Sequence, residues 1–339
     1  MNADFKILCN IKEKPTFLIG GQSREVSFDE LLKDKNLNRI YRIQFSQAPK
    51  KNQLEKVLKA IVKKPSIGLR FYGDYSENDI DWESLISIKN LQIDLWHISN
   101  LEQLSKLTSL KILGITKNVS SKVSLEILGN LKQLETLYTS ISKGIETVAK
   151  LNNLHFLSLR EIKSKDLQFL SQLNKLKELW LSLGSYNNFD DLANISNLKK
   201  LSVHQVRGFD NEIANSILPK CKKINALQLQ NLKNLKSLEF VAKMQDLEFI
   251  TMEGIKNIDS YEPIKRAKHI KTIMGYECRP ADKSLEPLIN IKNIWLGDSY
   301  TKAEISNLMS KTNADNVWIR GKELKSNGKP KNPFEINIG

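Results

Sequence analysis

The chain has 339 residues, 40% hydrophobic and 27% charged, with a formal net charge of +14 at pH 7. That suits a folded protein long enough for two domains or one large repeat array, and no apolar run approaches the roughly 18 residues that cross a bilayer. Cys9, Cys221 and Cys278 lie far apart with no CxxC pair, which excludes a disulfide framework and a paired-cysteine zinc site.

In chain order, residues 1–36 hold two apolar runs, "FKILCN" and "PTFLIGG", joined by "IKEK". They predict a hairpin, then a helix opening at Ser27, and together an N-terminal cap. The start carries no basic region, long apolar stretch or small-residue cleavage site, so we expect a cytoplasmic protein. Residues 51–64 place Leu54, Val57, Leu58 and Ile61 on one face of an amphipathic helix. Ser27-x-x-Glu30, Ser99-x-x-Glu102 and Thr301-x-x-Glu304 have the spacing of capping boxes. Residues 321–339 are polar and turn-rich, with a strand-like "FEINI". They are expected to form a C-terminal cap with a hairpin around Asn327-Gly328.

Between the caps, residues 37–320 repeat. Clear copies of LxxLxxLxL are Leu107-Leu110-Leu113-Ile115, Leu151-Leu154-Leu157-Leu159 and Leu173-Leu176-Leu179-Leu181. The third position gives about thirteen anchors: Ile43, Ile67, Leu91, Leu113, Leu137, Leu157, Leu179, Leu201, Leu227, Ile250, Ile273, Ile294 and Val317. Their mean spacing is about 23 residues. These residues resemble the leucine-rich repeat family, in its short internalin-like form. The resemblance implies an α/β solenoid, a horseshoe with a parallel sheet on its concave face and short helices on its convex face. Longer units should carry true helices, and units of 20–22 residues only a turn. The family's asparagine, five residues past each anchor, is kept only at Asn118. Elsewhere that column is mostly apolar and gives Trp96 and Cys278 core roles.

No nucleotide loop, metalloprotease or nucleophile-elbow motif occurs, and the four histidines lie in four different units. The chain reads as no enzyme, with no cofactor or metal. Its concave face is richer. With the anchors inward, alternation turns the residues one before, one after and three after each anchor outward. Tyr138, Phe156, Arg160 and Trp180 then form one patch on consecutive strands, with His204 nearby. Phe249, Met274, Tyr276, Trp295, Trp318 and Arg320 form a second, nearer the C-terminus and open to covering by residues 321–339. Trp180 should be substantially exposed. Aromatics, methionine and arginine among small polar residues are the composition of a protein-binding hot spot.

Two residues before the anchors stand Lys89, Lys111, Lys177, Lys199, Lys271 and Lys292, a basic rim. Only nine of the 52 basic residues are arginine, which weakens a nucleic-acid reading. The sequence therefore points to a cytoplasmic, bacterial-type repeat protein. It binds a partner protein, neutral to acidic at its contact surface, with no membrane association. A toxin-neutralising immunity protein is the narrower expectation. The alternatives are a signalling or regulatory scaffold, and a nucleic-acid binder using the rim and the aromatics.

Overall fold

The structure, a computed structural model, describes residues 6–116, 122–256, 258–328 and 332–334. Two compact units divide the chain, one built on Met1–His155 and one on Phe156–Glu335.

The first unit opens with an antiparallel meander, Ile7–Ile11, Pro15–Ile19 and Gln22–Glu25. The expected hairpin is there, and it does more than cap. Ile7, Cys9 and Ile11 alternate inward, so the strand also pairs in parallel with Ile40–Phe45, Cys9 opposite Ile43. Parallel strands Gly68–Gly73, Asn90–Leu95, Ile112–Ile115 and Thr136–Thr139 follow. The anchor after Ile43 is Leu69, two residues past the expected Ile67. Both side chains are buried, so alternation alone allows either register. The preceding helix decides. Lys51–Lys63 runs 13 residues, and a closing turn from Lys64 to Ile67 delays the strand until Gly68. The outward positions of this coil are therefore Arg70 and Tyr72.

In the second unit eight strands keep one register from Phe156–Arg160 to Asn316–Ile319. Leu157, Leu179, Leu201, Leu227, Ile250, Ile273, Ile294 and Val317 stack in a fully buried column. Each coil alone could not bury its apolar edge, and stacking removes that edge from water. Returns are mostly short 3₁₀ turns. Full helices fall where the return is long, as in Lys51–Lys63 and Asn211–Ile217. The final strand turns back through Arg320 and Gly321, with φ of +55° and +68°, to pair antiparallel with Lys322–Lys325. Two successive left-handed residues are what a two-residue hairpin turn requires. The turn therefore falls there and not at Asn327-Gly328, whose Asn327 N–H instead caps the Asn316 side chain. The "FEINI" expectation lies beyond the described residues after Phe334.

Two of the three capping patterns hold. Ser27 Oγ accepts from the Glu30 N–H at 3.0 Å, and Thr301 and Glu304 cap each other reciprocally. Ser99 does not cap. Its Oγ–H and N–H, with the Asn100 N–H, all donate to one oxygen of Glu77, a coil earlier. Burial of Glu77 would raise its pKa. The hydrogen bonds from Ser99 and from neighbouring backbone N–H groups outweigh that and hold it below the usual carboxylate range.

What replaces the asparagine ladder is a backbone device. Four residues past the anchor, Glu161, Leu183, Gln205, Asn231, Gly254 and Glu277 all take left-handed conformations, φ from +50° to +65°. In the first five of these coils that residue's N–H donates to the carbonyl three past the next anchor. Glu161 reaches Ser182, Leu183 reaches His204, Gln205 reaches Gln230, Asn231 reaches Glu253 and Gly254 reaches Tyr276, at 2.8–2.9 Å. The reversal sends the following residue inward, so Ile162, Val206, Leu232, Ile255 and Cys278 are buried. In the first unit two strands run one residue further, to Gly73 and Leu95. Trp96, expected in the core, is accordingly turned outward and 47% exposed. Asn118 lies outside the described residues.

Left-handed backbone disfavours side chains with a Cβ and suits glycine. Glu277 is exposed, so Glu277→Gly is expected to raise unfolding free energy by roughly 0.5–1 kcal/mol. Glu277→Val, β-branched, is expected to lower it by about 1 kcal/mol. Urea unfolding of both variants checks the sign, and a stabilising valine would contradict the ladder.

Candidate functional site

Strand register sorts the outward side chains of the second unit into three rows. The first runs Phe156, Glu178, Lys200, Ala226, Phe249, Thr272, Asn293 and Asn316. Beside it run Ser158, Trp180, Ser202, Gln228, Thr251, Met274, Trp295 and Trp318. The third holds Arg160, Ser182, His204, Gln230, Glu253 and Tyr276.

Trp180 does point out of the sheet, against Leu179 and Leu181 buried beneath. It is half-buried, not substantially exposed. Phe156 meets it edge to face with ring centroids 5.3 Å apart, and its indole N–H donates to Glu178 Oε1 at 2.8 Å. The same Glu178 carboxylate pairs with Lys200 Nζ at 3.0 Å. Arg160 lies on the neighbouring strand and pairs with Glu161. His204 meets Asn231 Nδ2 at 3.3 Å, and burial, then the charge of Arg160, holds its pKa below the ordinary value. That shift favours its neutral form, and the hydrogen-bond partner it meets is an amide, not a nucleophile. Tyr138 belongs to the first unit, half-buried in Thr136–Thr139.

The C-terminal patch is largely covered. Phe249, Met274 and Trp295 are buried, Trp295 to 5% exposure, and pack with Ala226 and Phe334; Trp180 and Trp318 lean on the same cluster. The cover comes from the chain's own end, as Lys200 Nζ donates to the Pro333 carbonyl at 2.7 Å. Tyr276 remains 41% exposed. Arg320 sits in the closing hairpin turn and donates to the Tyr300 carbonyl.

The lysine rim is less uniform than the sequence suggests. Glu135 and Glu248 occupy the same place in neighbouring coils and pair with Lys111 and Lys271 at 2.6 Å. Such exposed pairs add little stability, and they dilute the positive edge.

Sequence reading also missed a polar network on the first unit. Asp94, buried, accepts from Arg70 Nε at 2.7 Å, Gln92 Nε2 at 2.6 Å and Thr116 Oγ1 at 2.7 Å. Arg70 also donates to Gln44, and Gln44 to Asn10, so one network ties together four strands and Thr116, which follows the fifth. The two-residue error at Leu69 hid it. In the true register Arg70 and Gln44 face each other. The Arg70 guanidinium lies 4.5 Å from the Tyr72 ring, and Tyr72, Trp96, Ser46 and Ala48 line one depression.

Among the described residues no group of three or more His, Cys, Asp or Glu could hold a metal ion, and no helix is long and apolar enough to cross a membrane. The three cysteines are buried and unpaired. Burial pushes the thiols up, Cys221 and Cys278 to about 12, so none is a ready thiolate.

Stacked coils with parallel strands, short helical returns and an outward face of mixed aromatic and polar side chains define a repeat solenoid. No protein-family model matches the chain, and no curated protein matches its sequence. Among solved structures it is similar to an internalin (inlF) from Listeria monocytogenes. The two are 15% identical over 91% of this chain and 91% of that one, with a TM-score of 0.55. It is also similar to a leucine-rich repeat protein from Leptospira interrogans, 16% identical over 86% of this chain and 75% of that one, with a TM-score of 0.56. At these identities the likeness is one of fold, and the chain has the leucine-rich repeat fold.

Proposed function

We propose that the protein is a protein-binding solenoid that holds its partner on the outward face of the second unit's sheet. One observation carries this reading. Phe156, Trp180, Tyr276 and Trp318 stand at outward positions, where solubility alone favours small polar residues, and each keeps part of its surface in water. Arg160 and His204 add polar contacts beside them. Rigid aromatic anchors edged by polar groups are where binding energy concentrates. The finer proposals stay with the sequence. A cytoplasmic setting agrees with three unpaired buried thiols, and a toxin is the partner type the sequence favours over a signalling protein.

The test is a photo-crosslinking amino acid placed at Trp180 and, as control, at Val62. Val62 is 74% exposed on the Lys51–Lys63 helix of the first unit. A nuclease-resistant protein adduct is expected from position 180 and none from 62. Equal adducts at both, or none at 180, overturn the reading, and a nuclease-sensitive adduct favours the nucleic-acid alternative. With the captured partner, Trp180→Ala is expected to weaken binding by about 2 kcal/mol, roughly thirtyfold. The variant's own stability is expected to fall by only about 1 kcal/mol, because the ring is half-buried.

A further inference from the structure

The outward rows of the second unit have a gap. Between Trp180 and the run of Met274, Trp295 and Trp318 stand only Ser202, Gln228 and Thr251. Beside them lies Ala226, the smallest side chain of its row. The chain fills this gap with its own Phe334. The ring is buried, 6.2 Å from the Phe249 ring and packed with Ala226, Met274 and Trp295; Trp180 and Trp318 lean on the same cluster.

Two polar contacts fix how Phe334 arrives. Asn332 Oδ1 accepts from the Phe334 N–H at 3.0 Å, which bends the backbone and presents the ring. The Pro333 carbonyl accepts from Lys200 Nζ. Lys200 is positioned in advance by Glu178, which also holds Trp180. The Trp318 indole N–H is buried beside the groove and finds no acceptor among the described residues. An apolar seat, a positioned donor for a main-chain carbonyl and a waiting N–H are the parts of a peptide-recognition site.

The geometry points to a groove for a turned peptide segment with an aromatic anchor, directly preceded by a backbone carbonyl that Lys200 can reach. In the free protein its occupant is Asn332-Pro333-Phe334. This rests on the reading of the sheet face as the partner's surface, and it specifies the partner's contact. The partner must place its own aromatic side chain where Phe334 sits. The tethered segment competes at high local concentration, and the partner's apparent affinity falls by the fraction of molecules in which the seat is empty.

The experiment uses the full-length chain and a fluorescent peptide of residues 326–339, read by anisotropy. Phe334→Ala vacates the seat and is expected to bind the peptide at least tenfold more tightly than the wild-type chain. Alanine at the peptide's phenylalanine is expected to abolish binding. Lys200→Met in the Phe334→Ala chain is expected to weaken it about tenfold. Equal binding to wild-type and Phe334→Ala chains, or indifference to the peptide's phenylalanine, overturns the inference. If Phe334→Ala does not fold by circular dichroism, Phe334→Leu carries the same comparison, with a gain of about threefold expected and none overturning it. A partner that crosslinks at position 180 while the peptide binds neither chain would retain the protein-binding reading and remove this one.

Discussion

Leu179→Ala is expected to cost about 2–5 kcal/mol of unfolding free energy. Leu179 is fully buried in the column between Leu157 and Leu201, on a strand whose hydrogen bonds run to both neighbours. Removing its branched side chain forfeits transfer free energy and leaves a cavity that the paired backbones on either side cannot close. Because each coil rests only on its neighbours, the loss is expected to loosen adjacent coils first, with faster amide exchange in 156–160 and 200–204. Val62→Ala, at an exposed helix position, is expected to stay within about 0.5 kcal/mol and serves as the control. Denaturant unfolding compares the two directly. A cost for Leu179→Ala below about 1 kcal/mol would place Leu179 outside a packed core and reverse the strand's facing.

Asp94→Ala is expected to destabilise the protein by about 2–4 kcal/mol, through a different mechanism. The carboxylate accepts from Arg70, Gln92 and Thr116 at once, and the Arg70 side chain is itself mostly covered. Without Asp94 the Arg70 charge stays in a largely covered site, where Gln44 is its remaining acceptor among the described residues and is neutral. The penalty comes from stranding a charge, so removing both partners should cost less than removing one. Arg70→Leu with Asp94→Leu is expected to be closer to wild type than Asp94→Ala alone. The double-mutant cycle is expected to show a coupling of about 1–3 kcal/mol. Additive losses would mean that water already solvates the pair.

The repeat itself was legible in the sequence, because burying an apolar edge every coil forces a period and forces alternation within each strand. Leu157, Leu179, Leu201 and the column beyond them are where spacing put them. The outward-pointing residues of the second unit follow from the same parity, including Trp180. Parity cannot choose between Ile67 and Leu69, since both are apolar and two apart. The length of a helix on the opposite side of the coil made that choice, and with it placed Arg70 opposite Gln44. Nor does parity reveal the left-handed ladder, because Glu, Leu, Gln and Asn carry no shared signal for positive φ. The backbone adopts it because each N–H thereby finds the next coil's carbonyl.

The sequence by itself thus determined the coil, its anchors except the one at Leu69, and the direction each strand residue faces, all local consequences of hydrophobic period. Only the tertiary structure decided what stays accessible. Phe334 is far from Phe249 and Lys200 in sequence, and no periodicity links them. Burial of Met274 and Trp295 came from a contact between the chain's end and a gap of small residues on the sheet. Exposure is set by everything that approaches a surface, including segments distant along the chain, and a pattern read along one strand carries no record of them.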